Sequence, residues 1–128
     1  MQRIARRTYM HELSIAMSLV DAVSEQLPAL GDRARVSAVH VRIGALSGVA
    51  PESLRFSFDV VAAGSIIEGA RLEIECVRTT IWCEGCGTER EAEDDRLLCT
   101  RCGQPSPRVV RGRELELAAV EVVDDADR

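Results

Sequence analysis

Cys83-Glu84-Gly85-Cys86-Gly87 and Cys99-Thr100-Arg101-Cys102-Gly103 are two copies of one pattern, with twelve residues between Cys86 and Cys99. Two residues between paired cysteines let the chain reverse and bring both thiolates to one point, and two such pairs complete a tetrahedral four-sulfur shell. The glycine after each second cysteine fits that turn, which needs a positive φ and can aim backbone N–H groups at the sulfurs. A disulfide framework would instead suit a secreted chain. The sequence opens without an apolar signal segment, and a fifth cysteine, Cys76, would be left over. Zinc is the expected metal, with an iron–sulfur centre as the alternative. Four committed sulfurs leave no open position for water, so the centre is read as structural.

Composition narrows the remaining chemistry. The 128 residues carry a net charge of −5, and every one of the sixteen basic residues is arginine, scattered rather than clustered. No apolar run approaches the roughly 20 residues a membrane helix needs, so a cytoplasmic protein is expected. Between Cys83 and Cys102, six acidic residues (Glu84, Glu89, Glu91, Glu93, Asp94, Asp95) face three basic ones (Arg90, Arg96, Arg101). Such a surface repels phosphate, and Trp82 is the only aromatic near it, which argues against nucleic-acid binding. No Ser-His-Asp set, phosphate-cradling loop or isolated carboxylate pair offers a catalytic centre, so no enzymatic activity is expected.

The cysteine segment must be held by something larger than itself. Leu13, Met17, Val20, Val23 and Leu27 recur at helical spacing up to Pro28, which makes Met17 a core residue in this reading. After Gly31-Asp32, Val39, Val41 and Ile43 alternate with Ala38, His40 and Arg42, a strand with one buried face that leaves His40 solvated. Pro51 starts a second helix, with Leu54, Phe58 and Val61 inward and Gly64 at its end. Leu72, Ile74 and Cys76 form the inner face of a second strand, which assigns Cys76 to the core. Glu114 to about Val123 resumes the alternation after the cysteines. The fold class is α+β, a small mixed three-stranded sheet with two helices and an inserted zinc-ribbon module. The strands on either side of the insertion are expected to pair, and a right-handed parallel crossover between the first two strands is one option.

Met10-His11-Glu12-Leu13-Ser14-Ile15 stands at the head of the first helix. Together with Val39 to Gly48, the Pro51-Glu52-Ser53-Leu54 helix start, the doubled knuckle and the closing Gly112 to Val123 strand, it resembles the HypA/HybF family of hydrogenase maturation nickel-incorporation proteins. The resemblance covers nearly the whole chain from Met10 onward. It implies a nickel metallochaperone that delivers Ni(II) to the nickel–iron hydrogenase large subunit with the maturation GTPase HypB, without nucleic acid or membrane partners. It also implies structural Zn(II) at Cys83, Cys86, Cys99 and Cys102, and transient Ni(II) cargo at His11, with Met10 and Glu12 contributing mainly backbone nitrogen. A square-planar nitrogen set suits Ni(II). The family motif begins at the initiator methionine, whereas here nine residues precede it, either a misassigned start or a real extension that turns the Met10 amine into an amide. The expected organisation is an extension over 1–9, a nickel-binding α+β lobe over 10–81 and 109–123, a zinc ribbon over 82–108, and a solvated tail over 124–128. A zinc-ribbon adaptor that docks proteins without carrying nickel is the alternative function.

Overall fold

The computed structural model describes residues 12–93 and 96–124 and, of Gln2 and Arg3, the backbone. The elements run in the order β1 (Gln2–Arg3), α1 (Glu12–Gln26), a 3₁₀ turn (Leu27–Leu30), β2 (Ala34–Gly44), α2 (Pro51–Ala62), β3 (Arg71–Val77), β4 (Thr80–Cys83), β5 (Thr88–Glu91), β6 (Val109–Arg111) and β7 (Leu115–Asp124). They form two sheets. The larger has the order β1-β7-β2-β3 and the smaller β5-β4-β6.

In the larger sheet β2 pairs parallel with β3, from Ala38 opposite Arg71 to Gly44 opposite Val77, and antiparallel with β7, from Ala34 opposite Asp124 to Ile43 opposite Leu115. The sheet is therefore mixed. Its three long strands are those expected, and the two-residue β1 adds a short antiparallel ladder on β7 at Glu116 and Leu117. The expectation that the strands flanking the insertion pair with each other is corrected, because β2 lies between them. Alternation in β3 and β7 says that each has one buried face but not which strand is its neighbour. The centre goes to β2, whose Val36, Ala38, Val39, Val41 and Ile43 are all buried. The insertion still leaves and returns at one end of the sheet, since Val77 lies opposite Gly44 and Leu115 opposite Ile43, both at the same terminus of β2.

Helix α1 buries Ile15, Ala16, Leu19, Val20 and Val23, followed by Leu27 of the 3₁₀ turn, whereas Leu13 and Met17 are about half exposed at 48% and 51%. The core assignment of Met17 is thus corrected. Two apolar stripes at helical spacing overlap at Val20 and Val23, and the one through Ala16 and Leu19 wins. Helix α2 starts at Pro51 and buries Leu54, Phe58 and Ala62, with Val61 partly buried beside them. These residues, with Ile67, Leu72, Leu115 and Leu117, complete one aliphatic core.

Cys76 lies on the inward parity of β3 but is exposed, which corrects its core assignment. Burial along β3 falls from Leu72 through Ile74 to Cys76, so the core cover thins toward that end of the strand. On the opposite face Arg42 reaches Glu75 at 3.2 Å and Glu116 at 4.0 Å, and His40 Nε2 lies 3.1 Å from Glu121.

Candidate metal centre

The smaller sheet presents the two knuckles to each other. β4 runs into the first at Cys83 and pairs antiparallel with β5 (Thr80 opposite Glu91 to Cys83 opposite Thr88) and with β6. Isolated bridges Ala92–Cys99 and Leu98–Pro105 bring the second knuckle back. Both turns close identically: Gly87 N–H donates to the Cys83 carbonyl at 2.8 Å, and Gly103 N–H to the Cys99 carbonyl at 2.9 Å. Gly87 and Gly103 hold φ of 67° and 78°, the left-handed conformation expected for the glycine after each pair.

The four cysteine Sγ atoms all lie within 4.8 Å of one another. Cys83 Sγ is 3.4 Å from Cys102 Sγ, and Cys86 Sγ is 3.9 Å from Cys99 Sγ. A tetrahedral ion with metal–sulfur bonds of about 2.3 Å holds its sulfurs about 3.8 Å apart, so the spacing fits one such ion. Cys83 and Cys99 are buried against Ile81, with Leu97 and Val109 packed around them, while Cys102 faces solvent. Cys76 is not a member of the cluster.

Backbone donors prepare the second knuckle for charge. The N–H groups of Arg101 and Cys102 both point at Cys99 Sγ at 3.4 Å. The Cys102 N–H does most to bring the Cys99 thiol down to about 6, against the opposing cost of burial, with the Arg101 N–H adding to it. For Cys102 the Gln104 N–H acts in the same direction, but the neighbouring Cys83 thiol, burial, and the Cys99 and Cys86 thiols together push it up to about 11. The shared hydrogen bonds thus favour the thiolate at Cys99 and the thiol at Cys102.

Further groups with no motif of their own hold this unit in place. Ser106 is buried, donating from Oγ to the Trp82 carbonyl at 2.6 Å and accepting from Arg108 N–H at 3.2 Å. The Arg108 guanidinium lies over the Trp82 ring, 5.7 Å from its centroid. At the junction with the larger sheet, Gly44 packs directly on the Gly112 carbonyl, and a Cβ on Gly44 would lie 2.7 Å from Arg113 N. Leu46 N–H donates to Gly112 O at 2.7 Å, Gly44 N–H to Glu114 O at 2.8 Å and Ala45 N–H to Val77 O at 2.9 Å. The end of β2 is thereby bonded to both connecting strands. Only close contact at Gly44 reveals its role, which a glycine in a bend does not advertise.

Of the residues expected to carry a second metal, Met10 and His11 lie outside the described residues. Glu12 is the first residue of α1, and its Oε2 accepts a hydrogen bond from Ala50 N–H at 3.1 Å, at the start of α2.

A family model described as hydrogenase/urease nickel incorporation, metallochaperone, hypA, matches residues 10–122. The chain belongs to the HypA family. The hydrogenase maturation factor HypA of Roseiflexus sp. is 50% identical over 117 residues, covering 91% of this chain and 94% of that protein. Its counterpart in Chloroflexus aurantiacus is 47% identical over 113 residues, covering 88% and 98%. The solution structure of the Ni metallochaperone HypA from Helicobacter pylori superposes with a TM-score of 0.60 at 22% identity, covering 90% of this chain and 99% of that one. A second HypA solution structure gives 0.63, also at 22% identity. The two structures share this chain's α+β fold. Among the described residues no helix is long and apolar enough to cross a membrane.

Proposed function

We propose that this chain is a nickel metallochaperone that delivers Ni(II) for assembly of the nickel–iron hydrogenase active site, acting with the maturation GTPase HypB on the hydrogenase large subunit. The observation that carries the reading is the family match beginning at Met10, with Met10-His11-Glu12 as its first residues and 47–50% identity to named maturation factors. His11 is the imidazole donor to the cargo ion, and Met10 and Glu12 contribute backbone nitrogen. The Glu12 carboxylate is engaged at Ala50 N, so a cargo role for Glu12 falls to its backbone nitrogen rather than its side chain.

Zn(II) at Cys83, Cys86, Cys99 and Cys102 is the resident metal in this reading. The sulfur spacing and a donor set made of four thiols support it. When bound, it would cross-link the two knuckles and hold the small sheet of β4, β5 and β6 as a unit. The acidic ribbon surface supports protein rather than nucleic-acid partners.

Titration calorimetry tests the cargo site. A chain beginning at Met10 should bind one Ni(II), and His11→Ala should abolish that binding while zinc content stays unchanged. The full chain, in which the Met10 nitrogen is an amide, should bind more weakly. Undiminished Ni(II) binding by His11→Ala contradicts the mechanism and favours a zinc-ribbon adaptor.

A further inference from the structure

The first knuckle contains a glycine whose backbone does not require one. Gly85 sits between the paired cysteines, and its φ is outside the left-handed range that holds Gly87 and Gly103. The space a side chain would take there is already filled by another residue's side chain. A Cβ on Gly85 would collide with the Gln104 carboxamide, lying 2.9 Å from Cδ and still closer to Oε1, and would lie 3.5 Å from Cys102 Sγ. Gln104 follows the second knuckle, so its side chain reaches across to the first.

The main chain of Gln104 is tied into the second knuckle as well. Its carbonyl accepts the Cys99 N–H at 2.9 Å. Anchored there, the residue spans from the backbone of one cysteine pair to the missing side chain of the other, beside the one cluster cysteine that faces solvent, Cys102. Ile81, Leu97 and Val109 pack against the buried cysteines, and Cys86 is partly buried. On these contacts we propose that Gln104 is a positioning residue for the metal centre, a clasp whose side chain, received by Gly85, joins the two knuckles beside the exposed Cys102. The proposal rests on the reading of the four cysteines as a metal site. Its consequence is slow metal exchange: parting the two knuckles to release the ion first displaces the carboxamide from Gly85. A carrier of nickel thereby keeps its resident ion while the cargo ion comes and goes.

The full chain, loaded with one Zn(II), is challenged with excess EDTA, and the zinc retained is measured over time by elemental analysis of desalted samples. Gln104→Ala should release zinc roughly 10-fold faster, the scale on which groups packed around ligands tune metal affinity. Gly85→Ala should do the same, because its methyl evicts the carboxamide, and the Gly85→Ala/Gln104→Ala double variant should be no faster than either single one. Gln104→Met, which refills the space, should restore slow release. The absorption bands of the Co(II)-substituted protein should be unchanged in all of them, since the four sulfurs remain. Release from Gln104→Ala at the parental rate overturns the clasp, as do multiplicative effects in the double variant. Should Gly85→Ala retain no metal at all, the Ala and Met variants at Gln104 decide, and a Met variant as fast as Ala also overturns it. A parental chain that binds no zinc defeats the metal reading itself, an outcome distinct from failure of the clasp.

Discussion

The two sheets of this molecule are held by different substances. Inside the larger one, Ile15, Leu19, Val39, Val41, Leu54, Phe58 and Ile67 are buried to within 1% of complete, and aliphatic packing holds the unit. Inside the smaller one the buried hydrophobic residues are Ile81 and two of the cysteines, so the centre of that unit is sulfur. A segment this size cannot bury enough apolar surface to offset its chain entropy. The contrast teaches where each unit is vulnerable. The larger should be indifferent to metal and sensitive to cavities, and the smaller the reverse.

Cys99→Ser attacks the contrast hardest. Cys99 is buried and takes two N–H···S bonds, and structural zinc supplies on the order of 10–16 kcal/mol of apparent binding energy in small zinc modules. The variant should lose its zinc by elemental analysis and lose the Trp82 fluorescence environment, while the helical circular dichroism of α1 and α2 persists. Phe58→Ala is the mirror experiment. It should cost about 3–5 kcal/mol in urea unfolding of the larger unit and leave zinc stoichiometry unchanged.

Gly44→Ala probes the boundary between them. The Cβ has no space against the Gly112 carbonyl and Arg113 N, so about 1–3 kcal/mol of overpacking is expected. Amide shifts should appear on both sides of the junction, at Ala45–Leu46 and at Gly112–Glu114, because the hydrogen bonds there connect the two units. Shifts confined to one sheet would mean that the boundary is slack. Met17→Gln should do least, changing stability by less than about 0.5 kcal/mol, since the side chain is half exposed. A large loss would restore the rejected helix stripe.

How well the sequence could be read follows the same contrast. The metal centre was legible because its chemistry is local: a reversal with two intervening residues and a glycine at positive φ are properties of five consecutive residues, and Gly87 and Gly103 adopt the expected conformation. The long strands and both helices were legible from periodicity and from the punctuation at Pro28, Pro51 and Gly64. What failed depended on partners distant in sequence. Met17 and Cys76 have the right parity for burial, but the neighbour that would cover each is not encoded beside it. Strand order failed likewise, since alternation in β3 and β7 does not say that β2 separates them. Gln104, Ser106 and Gly44 make their contacts with residues distant in sequence and carry no pattern. Glu12 was expected as a backbone donor, and the engagement of its carboxylate 38 residues away at Ala50 could not be read from either segment alone.

Amide hydrogen exchange of the zinc-loaded chain, before and after zinc is removed with EDTA, tests most directly the claim that metal holds one unit and apolar packing the other. Protection at residues 80–92 and 97–111 should collapse on removal, while β2, β3, β7, α1 and α2 keep theirs within about twofold, the mark of independently opening units. Collapse of both sets together, or survival of both, would contradict the account.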